Sequence, residues 1–211
     1  MLKRDNQERI LDLRLVGDYL LVLRESRMEL HYVPPFPDAG GQLTLEYDPG
    51  FYRFYLSYPD LPFTGASMSE PQLNPGSVNV SRIIYILAHQ AVVGFFYFRA
   101  TIYNPDYVPL GPRTRMDINL LGVYRIGRTL ATGALLGPEG KRGIWIEGPP
   151  SDPARCAVAV TFDQSCPAAI PVQSGESLEQ SMKLLPRIRS TSNVLNLDHR
   201  GKSTPQTTTL R

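Results

Sequence analysis

Three histidines and a scatter of carboxylates are the side chains of this sequence that could perform acid–base chemistry. His31, His89 and His199 lie far apart along the chain and share none of the spacings of metal ligands. The scattered carboxylates include Asp12, Glu29, Glu46, Asp117 and Glu147. They lack the paired arrangement that glycoside hydrolysis uses. A Ser-His-Asp triad stays open at this point, but no Gly-x-Ser-x-Gly elbow favours it.

Two of the histidines have simple structural interpretations. His31 falls on the polar side of an alternating segment, so we expect it to face solvent. His89 stands at a break in an apolar stretch, which indicates a turn or structural residue rather than a base. We therefore predict no catalytic, cofactor-binding or metal-ligating residues and no cofactor, and the sequence does not identify the binding residues.

The segment from Gly133 to Glu147 combines an apolar run, a Gly/Pro turn, a basic pair and an alternating strand. Gly137-Pro138-Glu139-Gly140 suits a β-turn, because Pro presets φ at the second position and Gly suits the fourth. With Lys141-Arg142 the same loop could grip a phosphate, but its spacing matches no known phosphate loop and no helix follows. Trp145, the only tryptophan, could be a ligand-stacking platform, although core packing is the favoured interpretation.

Cys156 and Cys166 are the only cysteines. The sequence favours two reduced thiols over a disulfide, as is typical of an intracellular protein. Cys156 opens a predicted strand and Cys166 follows its end, so the extended chain separates their Cα atoms by roughly 30 Å. A disulfide needs Cα atoms within about 7 Å of each other. A zinc site is disfavoured, because there is no Cys-x-x-Cys pair and no adjacent His.

Composition narrows the class of protein. The chain has 211 residues, 42% of them hydrophobic and 20% charged, which suits a packed core. A net charge of +2 argues against a nucleic-acid partner bound through a dense basic face. Nineteen Pro and 17 Gly leave little room for helices, so we expect a low helix content.

The sequence carries no recognisable targeting segment. The N-terminus lacks the pattern of a signal peptide, and no stretch predicts a membrane span. We therefore expect an intracellular protein, cytoplasmic or nuclear.

Period-two patterns predict an antiparallel all-β fold. Segments 11–15, 19–23 and 27–32 form a three-strand meander that ends at Pro34-Pro35, and 19–23 is apolar on both faces, as in a buried central strand. Further predicted strands lie at 43–47, 51–58, 83–88, 92–103, 116–126, 130–136, 143–147 and 155–162. The aromatic residues of 51–58 could stack on nucleic acid, but two-sided burial in a sheet explains them more simply.

The segments between and after these strands complete the predicted organisation. We expect an exposed loop at 59–76, a break near His89-Gln90 and a bulge or close backbone approach at Gly94. Residues 1–8 are expected to be flexible, 9–166 to form the strand array, and 167–211 to be a mostly disordered tail with a short helix near 178–185. Strand groups recur about every 40 residues, the period of propeller blades, but the marks of WD repeats are absent. Periodicity alone leaves sandwich and propeller open.

Three stretches resemble a known family. They are Leu15–Arg24 together with Met28–Pro34, then Gly94–Phe98, and then Leu136–Glu147, which follows a Leu-Gly-Pro-x-Gly-x-Arg-Gly-x-Trp-x-Glu pattern. In this order they resemble the C-terminal β-propeller region of basidiomycete fungal F-box-type proteins, over roughly Leu11 to Phe162. The resemblance implies a partial, WD-repeat-like propeller. The F-box helices that such proteins carry upstream are not in this sequence, so docking on a ubiquitin-ligase adaptor is not carried over.

The resemblance implies a non-enzymatic protein-interaction module that selects substrates for a fungal F-box ubiquitin ligase. Two alternatives stay open: a truncated gene product without retained function, and a propeller-type hydrolase. We expect protein partners, whose identity the sequence does not give, and no membrane. The strands suffice for three to four blades, so an open array would expose a sheet edge that could pair with another chain. The oligomeric state is open.

Overall fold

The computed structural model describes residues 8–33, 52–55, 62–74, 81–103, 116–126, 130–148, 155–162, 164, 169–173, 178, 191–197 and 203–209. The described residues contain fifteen strands. In chain order they are β1 (Ile10–Val16), β2 (Tyr19–Arg24), β3 (Arg27–Tyr32), β4 (Tyr52–Tyr55), β5 (Gly65–Met68), β6 (Gln72–Leu73), β7 (Arg82–Gln90), β8 (Gly94–Ile102), β9 (Met116–Arg125), β10 (Leu130–Leu136), β11 (Arg142–Gly148), β12 (Arg155–Thr161), β13 (Ile170–Val172), β14 (Thr191–Leu197) and β15 (Ser203–Thr209).

These strands form three antiparallel sheets. The first has the order β1-β2-β3-β4, and the third has the order β10-β11-β12-β14-β15. The second has the order β13-β9-β8-β7-β5, with β6 also paired to β7. Most neighbours in a sheet are also neighbours in the chain, which is the mark of hairpins and meanders. The all-β, antiparallel prediction is therefore confirmed.

The three sheets are arranged like consecutive blades of a partial propeller. Strands β1, β5 and β10 each lie at one edge of their own sheet, and β5 contacts both β1 and β10. The second sheet therefore lies between the other two. The described strands do not close into a single continuous sheet.

Two apolar clusters fill the spaces between the sheets. The first joins one face of the first sheet, including Leu21, Leu23 and Met28, to Phe96 and Phe98 of the second. The second cluster joins the opposite face of the second sheet to the third. Its members include Tyr85, Leu87, Phe95, Tyr97, Trp145, Val158, Val160 and Phe162. The alternation of β7 and β8 explains this arrangement, because successive side chains of a strand point to opposite faces.

The predicted N-terminal meander is confirmed, but β1 turns a different side to the core than we expected. Leu13 and Leu15 are 54% and 59% exposed. In the sequence, the leucines at positions 11, 13 and 15 alternate with Asp12 and Arg14, a pattern that predicts a solvent-facing side for the polar pair. Instead, Asp12 and Arg14 reach the backbone of β5. The edge of β5 presents backbone groups that need hydrogen-bond partners, and polar side chains of β1 supply them. In β2, Tyr19, Leu21, Val22 and Leu23 are buried as predicted, and Leu20 is half-buried.

The expected loop at 59–76 is wrong for two segments, because β5 and β6 both pair with β7. Neither segment shows the alternation of apolar and polar residues that predicts a strand, so neither could be recognised from the sequence. Short edge strands need only one neighbour, and β7 offers its free edge. The break predicted near His89-Gln90 falls slightly later, in the turn at 91–93. Gly94 is a close backbone approach as predicted: its φ is +123°, and an added Cβ would lie 2.1 Å from the Tyr124 carbonyl oxygen.

The expectation of a mostly disordered tail over 167–211 is also corrected. Strand β13 pairs with β9, β14 pairs with β12, and β15 pairs with β14. Val172 and Leu178 are buried in the first cluster, and Leu178 is helical where a short helix was expected. The physical reason is that β9 and β12 had free edges, and backbone pairing to an edge does not need apolar side chains. The predicted strand at 43–47, Pro34-Pro35, and residues 1–7 lie outside the described residues.

Candidate interaction site

The β10–β11 turn, which is the most specific motif of the sequence, has a structural role. Gly140 donates its backbone N–H to the Gly137 carbonyl at 2.8 Å, and its φ of +72° lies in the left-handed region that favours glycine. A Cβ on Gly140 would lie 2.6 Å from the ring of Tyr85. The Tyr97 hydroxyl donates to the Gly140 carbonyl at 3.0 Å. The turn therefore packs tightly on the second sheet, which supports the structural interpretation over a phosphate-gripping loop.

Lys141 and Arg142 follow this turn and are exposed. The Lys141 Nζ atom lies 3.2 Å from Glu139 Oε2, so Lys141 forms an ion pair with a carboxylate of the same turn. The remaining cation of the pair, Arg142, opens β11.

Trp145 is a core residue, as favoured from the sequence. It is 3% exposed and its ring centroid lies 4.4 Å from that of Phe95. The indole N–H donates to Glu147 Oε1 at 2.5 Å. Because burial and this bond satisfy both parts of the side chain, Trp145 has no free ring face of the kind that a ligand-stacking platform needs.

A buried ionic network lies on the face of the first sheet that points away from the second sheet. We call this the outer face of the first sheet; it carries Leu13, Leu15, Leu20, Val22, Arg24, Arg27, Glu29 and His31. Glu29 accepts hydrogen bonds from Arg24 Nε at 2.9 Å and from Arg27 Nε at 2.8 Å. Glu29 and Arg27 have side chains that are 3% exposed.

The pKa of Glu29 reflects this network. Burial by itself would raise the pKa of Glu29, but the hydrogen bonds from Arg24 and Arg27 outweigh burial and hold the pKa below its usual value. His31, which we expected to face solvent, is 37% exposed and its Nε2 lies 3.3 Å from Glu29 Oε2. Glu8, expected to be flexible, accepts a hydrogen bond from Ser26 and through its carbonyl one from Arg24.

Strand β5 is bonded to the strands on both sides of it. On one side, Asp12 Oδ2 accepts the Met68 N–H at 2.8 Å, and Arg14 donates to the Met68 carbonyl at 3.1 Å and to Glu70 at 2.8 Å. On the other side, the Ser67 hydroxyl accepts the backbone N–H of Leu136 at 2.9 Å. These bonds hold the inner edges of all three sheets together.

The other acid–base candidates of the sequence have structural partners as well. His89 Nδ1 lies 2.8 Å from the Thr64 hydroxyl, its ring lies tilted by 35° against the Phe95 ring, and burial lowers its pKa. Asp117 accepts the Tyr103 hydroxyl at 2.6 Å. Among the described residues the structure brings Glu29 beside His31, but His89, Asp117 and Glu147 lie elsewhere with partners of their own. Glu46, His199 and Cys166 lie outside the described residues, so the thiol prediction for Cys156 and Cys166 stays a prediction.

An exposed apolar surface lies on the third sheet, on the face opposite Trp145. We call this the outer face of the third sheet; it carries Thr132, Leu135, Arg142, Ile144, Ile146, Arg155, Ala157 and Ala159. Leu135 is 65% exposed, and Ile144 and Ile146 are each 39% exposed. Leu135 pairs with Ile144 across the strands, so their side chains are neighbours on the same exposed face. Isoleucines on both sides of Trp145 were visible in the sequence, but their exposure was not.

The described residues contain neither a metal-binding cluster nor a membrane-spanning helix. No three His, Cys, Asp or Glu side chains in these ranges come close enough together to hold a metal ion. No helix there combines the length and the apolar character that a membrane crossing requires.

Comparisons with known proteins give a similarity in structure but none in sequence. No protein-family profile matches this sequence, and no curated protein matches it. A solved structure, the WD40 domain of SCAP from fission yeast, is similar over 95% of this chain, with a TM-score of 0.42 and 9% sequence identity. The chain spans 42% of the length of that structure. The propeller-like arrangement of this chain follows from its own strand pairings.

Proposed function

We propose that this chain is a non-enzymatic protein-interaction module of the cytoplasm or nucleus. The observation that carries the proposal is the outer face of the third sheet, where Leu135, Ile144 and Ile146 are exposed side by side on paired strands. Scattered apolar residues are normal on a protein surface, but adjacent ones on a flat sheet face are typical of contact surfaces. The firmly bonded inner strands would hold such a face rigid, which lowers the entropic cost of binding.

The resemblance to basidiomycete F-box-type proteins supports a finer proposal. In such a setting the strand array would select the protein that a ubiquitin ligase modifies, and a separate F-box would dock on the ligase. The stretch Leu136–Glu147, which is the most specific part of that resemblance, contains the exposed Ile144 and Ile146.

Affinity capture with the full chain, followed by titration of each captured protein in purified form, tests the interaction proposal. We expect at least one purified protein to bind saturably. If no captured protein binds on its own, the interaction proposal is wrong. The finer proposal needs a second assay, in which the chain is joined to an F-box and added to a reconstituted ligase. Ubiquitin transfer to the captured protein would support it, and binding without transfer would contradict the ligase role alone.

A further inference from the structure

We propose that the outer face of the third sheet binds an extended apolar segment of another protein that carries carboxylates at both ends. This inference deepens the proposed function and rests on it, because it names the surface and the chemistry of the partner. It starts from the distribution of charge around the exposed isoleucines.

Two exposed arginines border the apolar patch. Arg142 precedes Ile144 by two positions on β11 and therefore shares its face. Arg155 precedes Ala157 by two positions on β12, and Ala157 pairs with Ile146. Because the two strands are antiparallel, the arginines lie at opposite ends of the patch. The six-residue offset along the strands corresponds to roughly 20 Å.

Acidic residues are scarce in this sheet. Among β10, β11, β12, β14 and β15, the only acidic residue is Glu147. Its side chain accepts the Trp145 indole N–H on the opposite face, so it does not offset the arginines. The outer face is therefore an apolar centre with a positive charge at each end. Interfaces commonly have an apolar core with charged residues at the rim, and arginine is enriched in them.

The same charges argue against a second copy of this chain as the occupant. If two copies packed their outer third-sheet faces together about a two-fold axis, an arginine of one copy would meet an arginine of the other in either strand orientation. Like charges facing each other across an interface disfavour the pairing. The outer face of the first sheet does not supply the missing acids either, because Glu29 is buried between Arg24 and Arg27. The partner must bring its own carboxylates.

Selection from random peptides displayed on phage, with the full chain as bait, tests this inference. We expect enriched peptides to have apolar centres with Asp or Glu near both ends, spaced to match a gap of roughly 20 Å. Ile144→Glu should weaken binding of a selected peptide by about tenfold or more. Val92→Glu is the matched control, since Val92 is 69% exposed in the β7–β8 turn, and it should leave binding unchanged.

Charge reversal gives the sharper test. The double variant Arg142→Glu, Arg155→Glu should lose the acidic peptides and select peptides with Lys or Arg at the ends. Both arginines are exposed, so circular dichroism and the melting temperature should stay at the wild-type values. Selection of the same acidic peptides by this variant, or of peptides without acidic ends by the wild type, would overturn the inference.

Two further outcomes would also overturn it, and they are separable from failure of the proposed function. The first is a wild-type dimer that Ile144→Glu converts to a monomer in sedimentation, which would assign the face to a second copy. The second is a captured protein that binds wild type and Ile144→Glu equally well. That result would support the proposed interaction function but would show that the binding surface is not the outer face of the third sheet.

Discussion

The outer faces of the first and third sheets both carry arginines, but they use them differently. On the first sheet, Arg24 and Arg27 enclose Glu29, and the three side chains form a buried network. On the third sheet, Arg142 and Arg155 are exposed at the ends of an apolar patch. An arginine that has its carboxylate within the chain contributes to the fold, whereas one at the margin of exposed isoleucines is available to a partner. Four predictions test this difference.

The largest expected effect separates the two faces of the first sheet. Leu21 is fully buried against the second sheet, so Leu21→Asp would bury a carboxylate without a partner and lower the free energy of unfolding by about 4 kcal/mol. Leu15→Asp is the matched control, because Leu15 is exposed on the other face, and it should cost less than about 0.5 kcal/mol. Urea unfolding measures both. Equal losses would mean that the outer face is not exposed.

The second prediction concerns the buried network itself. Glu29→Gln removes the carboxylate that Arg24 and Arg27 share, and we expect a loss of about 3 kcal/mol in unfolding free energy. Ile144→Gln on the third sheet, at an exposed site, should cost less than about 1 kcal/mol. A neutral Glu29→Gln variant would remove the contrast between the two outer faces.

The third prediction concerns the inner side of the third sheet. Gly140→Ala forces a side chain into a left-handed backbone conformation and against the Tyr85 ring, and we expect a loss of about 1–3 kcal/mol. Gly65→Ala is the control: nothing lies within 4 Å of its added Cβ, and its φ is not positive. Thermal unfolding compares the two. Similar melting temperatures would show that the turn yields, so that the outer face above it is less rigid than proposed.

The smallest expected effect is a dependence on pH. Because the folded pKa of Glu29 lies below its usual value of 4.5, the stabilisation from the network is complete above about pH 4.5 and is lost as pH falls through the folded pKa. Glu29→Gln should flatten the unfolding free energy in that acid range, and Arg142→Glu should not flatten it.

His89 acts in a different pH window and provides the internal control. Burial lowers its pKa from 6.5, so the folded state favours the neutral ring, and its contribution declines as pH falls below 6.5. The acid slope of Glu29 should therefore survive in His89→Gln. If His89→Gln removes the slope below pH 4.5, the network on the first sheet is not its source.

Strands in which apolar and polar residues alternate, or which are apolar throughout, could be predicted from the sequence. Strands that form only by backbone pairing to the edge of an existing sheet could not. The meander of β1 to β3 and the strands from β7 to β12 carry apolar or aromatic patterns that a sheet face requires. Strands β5, β14 and β15 lack such patterns, because backbone pairing to an existing edge forms them. The side that β1 turns inward was also hidden, since polar Asp12 and Arg14 are held by the backbone of β5.

The candidate site was only half visible in the sequence. The segment Leu136–Glu147 stood out because of its turn and its tryptophan, and those residues proved to be structural. Exposure of Ile144 and Ile146 could not be predicted, because Ile on both sides of Trp145 fits a strand covered on both faces equally well. Which face is covered depends on the sheets that pack beside it, and local sequence does not specify that.

The position of Trp145 gives the protein a built-in optical reporter. As the only tryptophan, buried in contact with Phe95, it places the whole indole emission of the chain at the boundary between the second and third sheets. Separation of these two sheets would admit water to the indole and shift its emission to longer wavelength, while the tyrosines report on the molecule more broadly. Separation of the second and third sheets can therefore be followed by tryptophan fluorescence in the unmodified chain.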